Sequence, residues 1–247
     1  MFEHLAILPL ALLIGVVLGA LGSGGAILAL PILVYGAMLP VRQAVAVSQL
    51  VVGFAALVGT LLQWPSRRIV WREVVLFGVA GIPATRLGAM ISLQVEQQVL
   101  LVSFGVVVMI AGIRMIWTAG VRKVQGSQMW ISLLVGAAVG LLTGMLGVGG
   151  GFLLVPALIA YGGLDAKQAA ATSLPVIAVN TLSGAVQQHA LWSPVMGLAM
   201  SFLGATLVGT FLGVRLGAAA SELKLQQSLG IVLVCVGLGV AAMNLKL

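Results

Sequence analysis

Two matched stretches of this chain carry its most specific chemistry: Gly22-Ser23-Gly24-Gly25, closed by Pro31, and Gly147-Val148-Gly149-Gly150-Gly151, closed by Pro156. Each is a glycine cluster inside an apolar run, where glycine and proline are poor helix residues. Helices that open at such breaks leave their first backbone N–H groups without intrahelical partners. Those groups and the positive end of the helix dipole attract anions. Two such ends, one from each half of a chain, would hold a small oxyanion, and Ser23 could add a hydroxyl. Close helix crossing through small residues is the competing explanation of the same glycines.

A second matched pair follows. Gln43–Gln49 corresponds to Gln168–Leu174, and it places Ser48, Gln49, Thr172 and Ser173 about one turn into long apolar runs. Hydroxyls there bond to a substrate, to another helix, or back to a carbonyl of their own helix. Asn180 lies deeper in its run, with Gln187, Gln188 and His189 beyond it and Thr60 and Gln63 in the corresponding part of the first half. Four cations complete the candidates. Arg42 and Lys167 stand at the mouths, Arg86 and Arg215 near run ends, where they either snorkel to headgroups or line anion-attracting vestibules.

Composition dictates what must position these groups. The chain has 247 residues, 61% hydrophobic and 7% charged, with a net charge of +7. A soluble domain carries about 25% charged residues, so most of this surface must face lipid. The basic residues sit in short loops without interleaved aromatics, which argues for membrane orientation and against nucleic acid. Met1–His4 lacks the basic start of a signal peptide, so the first run is expected to be retained. Cys235 lies in an apolar run and is expected to pack there. Two histidines, one cysteine and five acidic residues provide no metal cluster, triad or acid pair, and there is no Walker motif. The chain is therefore expected to be no enzyme and to need no metal or cofactor.

The clusters belong to an internal repeat. At an offset of 125, 14 of 34 positions are identical between 15–48 and 140–173. Further on, Arg86-Leu-Gly-Ala matches Arg215-Leu-Gly-Ala at an offset of 129, which predicts a four-residue insertion in the second half. The expected domains are a first transmembrane repeat, 1–118, a cytoplasmic linker, 119–128, and a second transmembrane repeat, 129–247. Each repeat reads as a broken-helix hairpin plus three transmembrane helices, an all-α membrane protein of 8–10 membrane segments. If each hairpin enters and leaves on one side, the halves are inverted. Nine of the 12 Lys and Arg then share a face with Arg67, Arg68, Arg122 and Lys123, and that face is cytoplasmic. Paired breaks in inverted halves point to a midplane transport site. No carboxylate is clearly intramembrane, which favours an anionic substrate over a cation.

The duplicated glycine motif with its trailing proline, and Ala171-Thr172-Ser173-Leu174 after the second copy, resemble the TauE/SafE sulfite exporter family of bacterial membrane proteins along essentially the whole chain. The first copy departs from the fuller pattern at Ser23, Ala26 and Val47-Ser48-Gln49. The resemblance implies a multi-pass bacterial inner-membrane secondary transporter of sulfur-containing anions such as sulfite, sulfonates or sulfoacetate. Its expected site is Gly22–Gly25, Ser48, Gln49, Gly147, Gly149–Gly151, Thr172, Ser173 and Asn180. A passive anion channel, and a membrane protein with no transported substrate, are the alternatives. The expected partners are a small anion and the bilayer, with room for a coupling ion, H+ or Na+, and for a homodimer.

Overall fold

A computed structural model of the chain describes residues 7–22, 24–117, 129–146, 151–219 and 221–244, and every regular element within them is helical. The first half contains α1 (Leu8–Leu21), α2 (Gly24–Pro31) continued by a π-helical turn (Ile32–Gly36), α3 (Val41–Gln63), α4 (Trp71–Ser92) and α5 (Gln97–Trp117). The second contains α6 (Met129–Leu146), α7 (Gly151–Ala160), α8 (Ala166–Gln187), the single turn α9 (His189–Trp192), α10 (Met196–Ala219) and α11 (Glu222–Asn244). Among the described residues five helices, α3, α4, α5, α8 and α10, are long and apolar enough to cross a membrane. The linker 119–128 lies outside the described residues.

Local sequence explains the breaks. Gly22 ends α1 in the left-handed region, at φ 75°, which glycine adopts without a Cβ penalty. Pro31 brings no N–H to the ladder, and the π-turn follows it. Asp165 opens α8 with a capping box, its carboxylate accepting from the Gln168 N–H at 2.7 Å.

The repeat is carried through every long helix at one offset. Val41 and Ala166, Trp71 and Met196, and Gln97 and Glu222 start equivalent helices, each pair 125 residues apart. The packing obeys the same number. Gly59 meets Leu174 where Gly184 meets Gln49, and Gly112 meets Gly230 where Gly237 meets Gly105. Gly19 likewise meets Thr210 where Gly144 meets Thr85. The expected shift to 129 is therefore wrong, and no insertion interrupts the packed helices. Arg86 corresponds to Phe211, and Arg215 to Met90. The repeated Arg-Leu-Gly-Ala is a local similarity displaced by about one helical turn.

Equivalent helices run antiparallel. Gln49, Gly53 and Gly59 of α3 face Gly184, Thr181 and Leu174 of α8, and α5 and α11 show the same reversed register. The halves are thus inverted, as loop charge implies. Each half also lends its first helix to the other, with α1 lying along α10 and α6 along α4. Those pairs are sewn by glycines: a Cβ on Gly15 or Gly19 would strike the α10 backbone, and one on Gly88 or Gly144 the opposing backbone of the α4–α6 pair. Lipid offers no hydrophobic drive for helix association, so such close backbone approach holds the pairs. In their most apolar stretches α3 and α8 are 72% and 78% buried, against 33% for α4 and α10, so α3 and α8 form the centre. Their register places the pseudo-two-fold axis near Phe54 and Val179. Cys235, expected inside, is exposed on the outer α11.

Candidate functional site

Three groups of polar atoms lie along these helices. The first is a junction at the described glycine break. Gly22 donates its N–H to Leu18 O at 2.8 Å, so that amide is committed within its own helix cap. A Cβ at Gly22 would collide with the Ala170 backbone, and one at Gly25 with Ile14 and Leu18 of α1. The Ser173 hydroxyl reaches Gly22 O at 3.0 Å and Ala170 O at 2.9 Å, and one proton serves the two. Thr172 Oγ1 accepts the N–H of Val70, just before α4, at 3.0 Å. Two expected substrate hydroxyls thus join the repeats, and Ser48 donates to Val45 O at 2.9 Å within its own helix. Gly24 and Gly25 begin α2, and Gly151 begins α7. Ser23, Gly147, Gly149 and Gly150 lie outside the described residues. Gly22 sits beside Ala170, nine residues before Val179, about 13 Å along α8 from the centre at 1.5 Å per residue.

The second group lines a partly open recess of about 140 Å³ beside this junction. Gly19, Gln63, Ser66, Arg68, Lys167 and Gly217 face it. Among the described residues two cations and no acidic side chain line it, which gives it anion-attracting potential. It opens at the end of the bundle that carries Arg67 and Arg68.

The matched cations are helix caps. Arg42 Nη2 donates to Leu93 O at 2.8 Å, past the end of α4, and Lys167 Nζ lies 3.5 Å from Ala218 O, at the end of α10. Both satisfy C-terminal carbonyls and the negative end of a helix dipole. Arg86 Nε donates to Ser183 Oγ at 3.1 Å, whereas Arg215 stacks on Phe211, 4.3 Å from the ring centre. Glu73 is buried in the first turn of α4, paired with Arg72 at 3.0 Å and accepting from Ser132 at 2.8 Å.

The third set is buried and spread along α3, α4 and α8. Gln49, Thr85, Asn180 and Gln188 are each at most 5% exposed. Both amide atoms of Gln49 and Gln188, the Thr85 hydroxyl and Asn180 Oδ1 have no hydrogen-bond partner among the described residues. Each such group costs about 1–3 kcal/mol. Glycines make room for it: a Cβ on Gly184 would overlap the Gln49 amide, and one on Gly81 the Asn180 amide. Gln49 and Asn180 were legible as polar residues in apolar runs. Thr85 was not, because a threonine in a membrane helix ordinarily bonds back one turn, as Thr60, Thr143, Thr181, Thr206 and Thr210 all do. Gln63 and Gln188 carried a signal, since they lie 125 apart. Arg68 read only as a loop charge.

Inverted halves, exchanged first helices and several membrane-length spans define a multi-pass membrane protein with the architecture of a transporter. The chain belongs to the sulfite exporter TauE/SafE family, whose sequence profile matches residues 7–240. A probable membrane transporter protein of Xylella fastidiosa strain 9a5c is 30% identical over 244 residues, covering 92% of this chain and 90% of that protein. Probable membrane transporter proteins of Methanocaldococcus jannaschii (26% identical, 75% and 73% covered) and Bacillus subtilis (24%, 86% and 86%) are also similar. No solved structure matches the chain significantly.

Proposed function

We propose that this protein is a secondary transporter of small, sulfur-containing oxyanions in the bacterial inner membrane, working by alternating access. One observation carries the reading: equivalent residues of the two repeats stand in different environments. Gln63 faces the recess at the cytoplasmic end, while its counterpart Gln188 is buried at the other. Inverted repeats that adopt unequal conformations give a path open on one side and shut on the other. Exchange of those conformations moves the opening across the membrane. The cations of the recess collect the anion, and Gln49, Thr85 and Asn180, buried nearer the axis, bind it. The family name supports sulfur oxyanions as the substrate class.

Uptake into proteoliposomes tests this. Labelled sulfite should accumulate above equilibrium when a proton or sodium gradient is imposed. Equilibration without accumulation under either gradient would make the protein a passive channel, and no flux of any sulfur oxyanion would refute the reading.

A further inference from the structure

We infer that the anion site is one-sided and built for a single negative charge: Gln49, Thr85 and Asn180 form the site of a monovalent oxyanion on one flank of the pseudo-two-fold axis. The inference rests on the transporter reading above and specifies its substrate. Symmetry supplies the argument. At the offset of 125, the counterparts of these residues are Leu174, Thr210 and Ala55. The counterpart cluster is satisfied. Leu174 and the Thr210 methyl pack where a Cβ on Gly59 would sit, and the Thr210 hydroxyl donates to Thr206 O at 2.9 Å. Equivalent backbones thus carry a satisfied, largely apolar cluster on one flank and, on the other, buried polar atoms with no partner among the described residues. Buried polar groups are kept only where something bonds to them.

The atoms define the ligand. Gln49 Nε2 and the Thr85 hydroxyl bring N–H and O–H donors, which suit anion oxygens. The acidic residues described in α4 and at the cap of α8, Glu73 and Asp165, stand where these parallel helices begin, at the opposite end. One guanidinium flanks the group: Arg86 follows Thr85 and bonds Ser183, next to Gly184. A second negative charge would have no counterpart. It would also face the amide oxygens of Gln49 and Asn180, and desolvating a dianion would cost roughly fourfold what desolvating a monoanion costs, since solvation energy grows as the square of the charge.

Titration calorimetry on the purified full chain, comparing methanesulfonate with the similarly shaped divalent sulfate, tests the charge limit. Methanesulfonate should bind at least about tenfold tighter. Equal or tighter sulfate binding overturns the limit. Thr85→Val should weaken methanesulfonate about tenfold, while Thr210→Val, the same change on the other flank, leaves it unaltered. Gln49→Glu and Asn180→Asp keep the shape, add negative charge and should abolish binding. Unliganded melting temperatures report whether each variant is folded. Equal effects of T85V and T210V, or wild-type affinity in both acidic variants, overturn the one-sided site. If the wild type transports sulfur oxyanions while these variants behave as wild type, only this inference falls. If the wild type transports none, the transporter reading falls with it.

Discussion

The Ser173 hydroxyl donates to the carbonyl of Gly22 at 3.0 Å, across 151 residues of sequence. It ties the central helix of the second repeat to the helix break of the first, at the lip of the cationic recess. The hydrogen bond fixes the position of the break against α8.

Gly22→Ala should destabilise the protein by at least about 2 kcal/mol. It forces a Cβ into the left-handed region and against the Ala170 backbone. Ser173→Ala removes only the hydrogen bond and should cost about 1 kcal/mol. Thermal unfolding in detergent ranks the two, and equal losses would mean that the backbone clash is not limiting.

Two glycines of α4 provide a matched comparison of helix packing. A Cβ on Gly88 would strike the α6 backbone, whereas one on Gly78 meets nothing within 4 Å. Gly88→Ala should lower the melting temperature clearly. Gly78→Ala should leave it unchanged or raise it, since alanine favours a helix by up to about 1 kcal/mol.

Arg68→Gln should raise the KM for anion uptake several-fold and leave kcat and the melting temperature near wild type, because Arg68 lines the recess at its rim. Attraction by a rim charge is screened by salt. The difference from wild type should therefore shrink as ionic strength rises in liposome uptake assays.

Inverted packing predicts the membrane sidedness of single cysteines placed in a Cys235→Ser background. Ser66 follows the end of α3, and Met38, 82% exposed, precedes its start. Ser66→Cys should react with a membrane-impermeant maleimide only from the cytoplasmic face, and Met38→Cys only from the outer face. Labelling of both from one side would contradict the topology.

Much of this architecture follows from residue order alone. A chain with 7% charged residues must expose apolar surface to lipid. Glycine clusters 125 residues apart must break equivalent helices, and the bias of Lys and Arg orients the inverted halves, because all three properties are carried by residue types and spacing. Contacts between distant segments are not. Only packing could show that Arg-Leu-Gly-Ala aligns a turn out of register, since two helices built from the same small residues match at several sequence offsets but place Gly88 and Gly213 on equivalent backbones at one. Thr172 and Ser173 read as substrate hydroxyls, and the fold gave them Val70 and Gly22 as partners. Thr85 and Gln188 read as ordinary polar residues, and the fold left them buried without partners among the described residues. A hydroxyl or amide has the same chemistry wherever it lies in the sequence; which partner lies within about 3 Å of it is decided by tertiary structure.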